Sequence, residues 1–125
     1  MKKLYTFAWI GFGGAMGASL RYFVSILFLS NKCLHFPIST FLVNLLGCFF
    51  IGFFDALLTR NSTLYFFCIV GFLGSFTTYS TFSYDTLMLF QKEKSITGIL
   101  YLLSTLIFGL LVVWMGKLLA QQLFS

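Results

Sequence analysis

Charged positions are sparse along this chain, and they punctuate four long apolar runs. Between Lys3 and Lys32 the only charged side chain is Arg21, and uncharged stretches then cover residues 33–54, 61–84 and 95–116. Each is long enough to cross the hydrocarbon core of a bilayer, which takes about 20 helical residues. The pattern predicts an all-α membrane protein with four transmembrane helices, over about residues 4–30, 36–58, 63–90 and 95–119. The joining loops are a few residues long, so residues 1–125 read as a single four-helix domain.

Composition agrees with this class. Of 125 residues, 59% are hydrophobic and 9% charged, with a mean hydropathy of +0.96. A soluble domain carries roughly 25% charged residues, so this chain cannot cover its own surface with water-compatible groups. A signal peptide is a rival reading of the first run, because Met-Lys-Lys is a plausible basic start. The run is too long for the apolar region of such a peptide, and cleavage would remove one span of a minimal bundle. The net charge of +5 comes from basic residues scattered singly, which argues against a nucleic-acid partner. Cys33, Cys48 and Cys68 are odd in number and show no Cys-x-x-Cys spacing. They indicate neither a zinc site nor a disulfide framework, and read as small packing residues.

With four spans, Lys2, Lys3, Arg60 and Lys117 fall on one side, and Lys32, Lys92 and Lys94 on the other. Cytoplasmic loops normally carry a clear Lys/Arg excess that fixes orientation. A chain lacking that excess is free to insert both ways. Dual insertion allows an antiparallel homodimer, whose two copies recreate the inverted-repeat symmetry of many transporters. Four short helices also enclose a pore poorly, which favours a dimer on size alone.

Polar residues inside the spans carry the candidate chemistry. In "GGAMGASLRY", residues 13–22, Gly13 and Gly17 form a Gly-xxx-Gly pair of the kind that lets helix backbones approach closely in lipid. Arg21 follows, and a charge at membrane depth must snorkel, pair or line a wet cavity. Either it reaches the interface, or it creates a positive vestibule that gathers anions.

The second span reads "PISTFLVNLLGCFFIG", residues 37–52. Pro37 suits a first helical turn, where its missing N–H is not needed. Asn44 falls near the middle of the span and must find partners. It either bonds another helix or offers its N–H groups to a permeating anion.

In the third span, "GFLGSFTTYSTF", residues 71–82, places Gly71 and Gly74 ahead of Ser75, Thr77 and Thr78. The sequence predicts a break here. Unwound backbone at membrane depth is tolerated where it is buried in protein or lines a cavity, and its freed carbonyls can bind a cation. Beyond the break, Phe76, Tyr79 and Phe82 recur every three residues along one stripe, with Ser80, Thr81 and Ser83 between and beside them. The stripe is core packing, or its electropositive ring edges meet an anion.

On the fourth span Tyr101, Thr105 and Gly109 share a face, with Ser104 adjacent. Their hydroxyls either bond back to their own helix or line a pore.

Absences narrow the class further. The sequence holds no Ser-His-Asp set, no carboxylate pair within a span and no Walker-type loop, so no enzyme is expected. His35 is the single histidine and lies in a loop, which excludes a histidine relay. The acidic residues, Asp55, Asp85 and Glu93, read as lying at or near span ends. A small dual-topology proton-coupled exporter needs a carboxylate deep in its first helix, and residues 1–54 contain none.

The motifs "GGAMGASLRY", "STFLVNLLGCFFIG" and "GFLGSFTTYSTF", in this order, closely resemble the Fluc (CrcB-type) fluoride channels. The resemblance covers the first three spans and fits in length and helix number. It implies a dual-topology antiparallel homodimer in the bacterial inner membrane, a multi-pass protein with two narrow pores that export toxic fluoride passively. By motif position, Asn44 would be the pore asparagine, Tyr79 and Phe82 the paired rings whose edges face the ion, and Arg21 the arginine that ends the first motif. Ser80 and Ser83 beside the rings, and Tyr101 and Thr105 on the fourth span, would be pore hydroxyls. Gly74 and Thr77 match positions whose backbone carbonyls hold a structural sodium ion at the dimer centre.

Three departures stand out. Tyr79 and Ser75 replace the family's usual Phe and Gly, and Ser39 replaces a Gly before Thr40. Tyr79 adds a donor beside the ion or crowds the pore; Ser75 brings a side chain to the sodium site; Ser39 reads as neutral packing. Fluoride is small and strongly hydrated, so a selective pore must replace its shell with fixed donors in a tight path. The competing classes are a proton-coupled exporter and a non-transporting membrane scaffold whose polar residues only join helices.

Overall fold

The computed structural model describes residues 2–28 and 36–124, with the side chains of Lys2 and Lys3 excepted. Lys32, Cys33, His35 and the end of the first predicted span lie outside the described residues. The described chain is helical throughout. The elements are α1 (Lys2–Leu27), α2 (Ile38–Leu57), α3 (Thr63–Tyr65), a π-helical segment (Phe66–Leu73), α4 (Gly74–Phe76), α5 (Tyr79–Gln91) and α6 (Ser95–Phe124). Together they give four helical spans long and apolar enough to cross a membrane: Leu4–Leu27, Ile38–Leu57, Thr63–Gln91 and Ser95–Phe124.

Each boundary has a local cause. Pro37 stands at the start of α2, whose first turn does not require its missing N–H. Ser62 opens the third span by accepting the Tyr65 N–H at 3.1 Å, which satisfies one of the donors a helix start leaves unpaired. The π-helical segment then widens the turn ahead of the break, a common accompaniment of functional positions in helices. Thr77 is extended, with φ −75° and ψ 156°. Thr78 caps α5 by accepting the Thr81 N–H on its hydroxyl at 3.2 Å. The third span is therefore two helices in series, interrupted at Thr77 and Thr78.

Packing joins these elements into two layers of contact. α1 lies along the π-helical segment and α2 along α6. Both pairs approach closely through glycine. A methyl group at Gly13 or Gly17 of α1 would run into the main chain of Phe67 or Phe72, and one at Gly71 would come within 2.6 Å of the Ile10 carbonyl. The close packing expected of Gly13 and Gly17 is the role they play. The α2–α6 seam is reciprocal: Gly52 faces the Val113 carbonyl and Gly116 the Phe49 carbonyl. That second seam was not read from the sequence, because its glycines sit on different spans.

A small core forms where α2, α5 and α6 meet. Phe82, Leu89 and Tyr101 are buried there, with Phe36, Phe41 and Leu102 packed around them. Most other large apolar side chains face outward, including Phe7, Phe12, Phe23, Leu110 and Trp114. In water such a surface would be untenable. Against lipid or a second protein chain it is the expected exterior.

Candidate functional site

The interruption of the third span organises the site. Asn44, on α2, turns its side-chain amide onto the Thr78 main chain. The Thr78 N–H donates to Asn44 Oδ1 at 2.8 Å, and Asn44 Nδ2 donates to the Thr78 carbonyl at 3.1 Å. Of the two roles open to Asn44 in the sequence, the interhelical bond is the one the structure displays. It uses one of the two N–H groups the amide offers.

This clasp changes the backbone around it. In an uninterrupted helix the Thr78 N–H would serve the Gly74 carbonyl, and the Thr81 N–H would serve the Thr77 carbonyl. Here Asn44 Oδ1 takes the first and the Thr78 hydroxyl takes the second. The carbonyls of Gly74 and Thr77 thus lose their helical donors. These oxygens are of the type that holds a hard cation at an interrupted membrane helix. Among the described residues no cluster of three His, Cys, Asp or Glu side chains could hold a metal. Ser75, the departure that brings a side chain to this backbone, has its hydroxyl near Gly14 of α1, where a methyl group would lie 3.1 Å from it.

Five of the predicted residues share one cavity of about 320 Å³: Asn44, Thr77, Tyr79, Phe82 and Thr105 line it, with Thr78. The two rings differ sharply in setting. Phe82 is 7% exposed and packs on Tyr101, at 5.3 Å between centroids, whereas Tyr79 is 79% exposed. They meet at 5.9 Å and a tilt of 46°. Ser80 and Ser83 are exposed and do not line the cavity. Gly74 is also exposed.

The hydroxyls of the third and fourth spans mostly bond inward to their own helices. Ser83 donates to the Tyr79 carbonyl at 2.9 Å, and Thr105 and Ser104 donate to the Tyr101 carbonyl at 2.7 and 3.2 Å. Back-bonding of this kind satisfies a hydroxyl in an apolar setting. A fluoride ion reaching Thr105 would have to draw that hydroxyl proton away from the helix.

Arg21 lines a second cavity, of about 220 Å³, with Tyr22, Ser25, Ser39, Thr40 and Thr81. Thr78 borders both cavities. Ser39, read from the sequence as neutral packing, is therefore part of a polar wall beside Arg21.

The structure adds a pair that sequence reading missed. Thr40 donates to Asp85 Oδ2 at 2.7 Å, across 45 positions of sequence. Asp85, read from the sequence as at or near a span end, lies six residues before the end of α5, half-buried and bonded to α2. Tyr101 stands beside this pair. It is 0% exposed, and its hydroxyl has no hydrogen-bond partner among the described residues. The available signal was a carboxylate in an otherwise uncharged helix, and linear spacing could not supply its partner.

Residues 8–117 match the family model described as CrcB-like protein, Camphor Resistance (CrcB). The chain is 43% identical over 123 residues to the fluoride-specific ion channel FluC of Helicobacter pylori, covering 94% of this chain and 95% of that protein. It is 40% identical over 129 aligned positions to the FluC of Ruminiclostridium cellulolyticum, covering 100% and 99%. The FluC of Azobacteroides pseudotrichonymphae is 39% identical over 125, covering 97% and 98%.

Proposed function

The chain belongs to the CrcB-like family, and from that membership we propose that it is a fluoride-specific ion channel of the bacterial inner membrane. It is a multi-pass membrane protein and not an enzyme, and fluoride is the ion it carries down its gradient out of the cytoplasm. The observation that carries this conclusion is the 40% identity to a FluC protein across the whole chain.

The working unit in this reading is an antiparallel, dual-topology homodimer with two pores. Three features support it. The Lys/Arg balance of the loops is nearly even. Large apolar side chains cover the outer face. Tyr79, which lines the cavity with Asn44 and Phe82, is largely exposed, so one chain leaves this ring uncovered. A second copy covers it, and Tyr79, Ser80 and Ser83 then face across the junction.

Within the pore, fluoride exchanges water for fixed donors. The second N–H of Asn44 and the hydroxyls of Ser80, Ser83, Tyr101 and Thr105 are the candidates, with ring edges of Tyr79 and Phe82 adding weaker positive surface. Arg21 contributes a positive field at the neighbouring cavity. A structural sodium ion at the dimer centre fits the freed carbonyls of Gly74 and Thr77 from each copy. When bound it would neutralise four converging oxygen dipoles and fix the break.

The test is flux from liposomes loaded with fluoride or chloride, with a potassium ionophore carrying the balancing charge. Fluoride release without chloride release is expected, and equal chloride release would overturn the selectivity. Asp85 gives the proton-coupled exporter a foothold, since it is a titratable group inside the bundle. Fluoride movement that requires a pH gradient would favour that reading over the channel.

A further inference from the structure

The turn between α5 and α6 brings two lysines to one recess. Lys92 ends α5, Lys94 precedes α6, and Glu93 between them has a φ of 58°. The Lys94 N–H donates to the Leu89 carbonyl at 3.0 Å and the Glu93 N–H to the Phe90 carbonyl at 3.2 Å. This is the bonding that a left-handed residue gives to a helix C-terminus. The Lys94 carbonyl then accepts the Gly98 N–H at 2.9 Å, which starts α6 at once. The reversal sets Lys92 and Lys94 around a cavity of about 230 Å³, with Phe36, Pro37, Met88 and Asp85, and leaves Glu93 out of its lining.

The recess leads inward. Asp85 lies six residues before Gln91, about 9 Å along a helix. Its carboxylate accepts the Thr40 hydroxyl, and Thr40 also borders the Arg21 cavity. One hydrogen bond therefore separates the lysine-lined recess from the arginine-lined cavity. Within the lining two ammonium groups face one carboxylate, with Glu93 outside it, and apolar walls strengthen the resulting field. Clefts of this kind raise the local concentration of counter-ions.

We propose that this recess is an anion-collecting mouth, in which Lys92 and Lys94 concentrate fluoride ahead of the Thr40–Asp85 partition. The proposal rests on the fluoride-channel reading. It assigns to the α5–α6 turn a part in conduction rate, with ion selectivity left to the interior.

The experiment compares fluoride flux of the full chain with Lys92→Gln/Lys94→Gln in liposomes, at low and high ionic strength. Screening length falls from about 30 Å at 0.01 M to about 3 Å at 1 M. At low ionic strength the double variant is expected to conduct at least about tenfold more slowly, the low end of what a focused field supplies. The deficit should close at high salt, with fluoride-over-chloride selectivity intact. Lys92→Arg/Lys94→Arg should restore the rate, since it restores the charge. Equal rates for the Gln variant and the parent at low salt would overturn the mouth, as would a deficit that persists in the Arg variant. Lysines at a bilayer surface also attract lipid phosphate, so the comparison is run in phosphatidylcholine vesicles and again with phosphatidylglycerol added. A deficit confined to the anionic vesicles would assign the lysines to headgroups and overturn the proposal. Loss of fluoride flux in the parent chain itself would instead overturn the channel reading.

Discussion

The Asn44 side chain and the Thr78 main chain exchange two hydrogen bonds, 2.8 and 3.1 Å long. The pair joins α2 to the interruption of the third span. Thr78 is 6% exposed, so water cannot take over these bonds. Asn44→Leu keeps the volume near the original and removes both partners, leaving a buried N–H and carbonyl unsatisfied at about 1–3 kcal/mol. Lower thermal stability in detergent and a fall in fluoride flux are expected together. Thr78→Ala keeps the main-chain bonds and loses the helix cap, at about 1 kcal/mol, together with the hydroxyl contacts to Thr81 and Ser80, with flux retained. If the two variants lose flux equally, the clasp is not what matters at this position.

Thr40 and Asp85 provide a second check. Thr40→Val is nearly isosteric and removes the donor to the carboxylate, an interaction worth about 1.5–3 kcal/mol when one partner is charged. Slower fluoride flux and a lower melting temperature are expected. Thr40→Ser retains the hydroxyl and should recover most of both. A valine variant that conducts and melts like the parent would leave the pair without a role.

The two rings should separate cleanly. Phe82 is packed on Tyr101 in the core, whereas Tyr79 projects outward. Phe82→Ile removes the ring edge from the cavity, and flux should drop to background while size-exclusion chromatography still shows an assembled protein. Tyr79→Phe keeps the ring and its edge and removes the hydroxyl alone, so flux should be retained. A loss from Tyr79→Phe would show that the phenol, rather than the ring, contacts the ion.

Glycine positions differ by what surrounds them. Gly116 faces the Phe49 carbonyl of α2, whereas Gly11 has nothing within 4 Å of an added methyl group. Gly116→Ala forces two helices apart and should cost about 1–3 kcal/mol. Gly11→Ala should stabilise α1 by roughly 0.5–1 kcal/mol through helix propensity. Thermal melts of the two variants in one detergent would read opposite shifts.

Some of this was legible along the chain. Four spans follow from apolar run length, because a bilayer requires about 20 such residues in sequence whatever they pack against. The interruption of the third span was legible for a similar reason. Gly71 and Gly74 weaken a helix locally, and Thr77 and Thr78 offer side chains that cap a new one. The packing of Gly13 and Gly17 against another helix was also readable, since their spacing puts them on one face of α1.

Tertiary structure decided what those groups meet. The sequence left Asn44 between an interhelical bond and an ion; the approach of α2 to Thr78 supplies the first and leaves one N–H of the amide over. It left the fourth-span hydroxyls open, and the fold gives Thr105 an acceptor in the Tyr101 carbonyl of its own helix. Asp85 lies near the end of its span, as read along the chain, but only the fold brought Thr40 to within 2.7 Å of it. Run length and local spacing are properties of neighbours along a chain, whereas a buried hydrogen bond depends on which distant backbone arrives beside it.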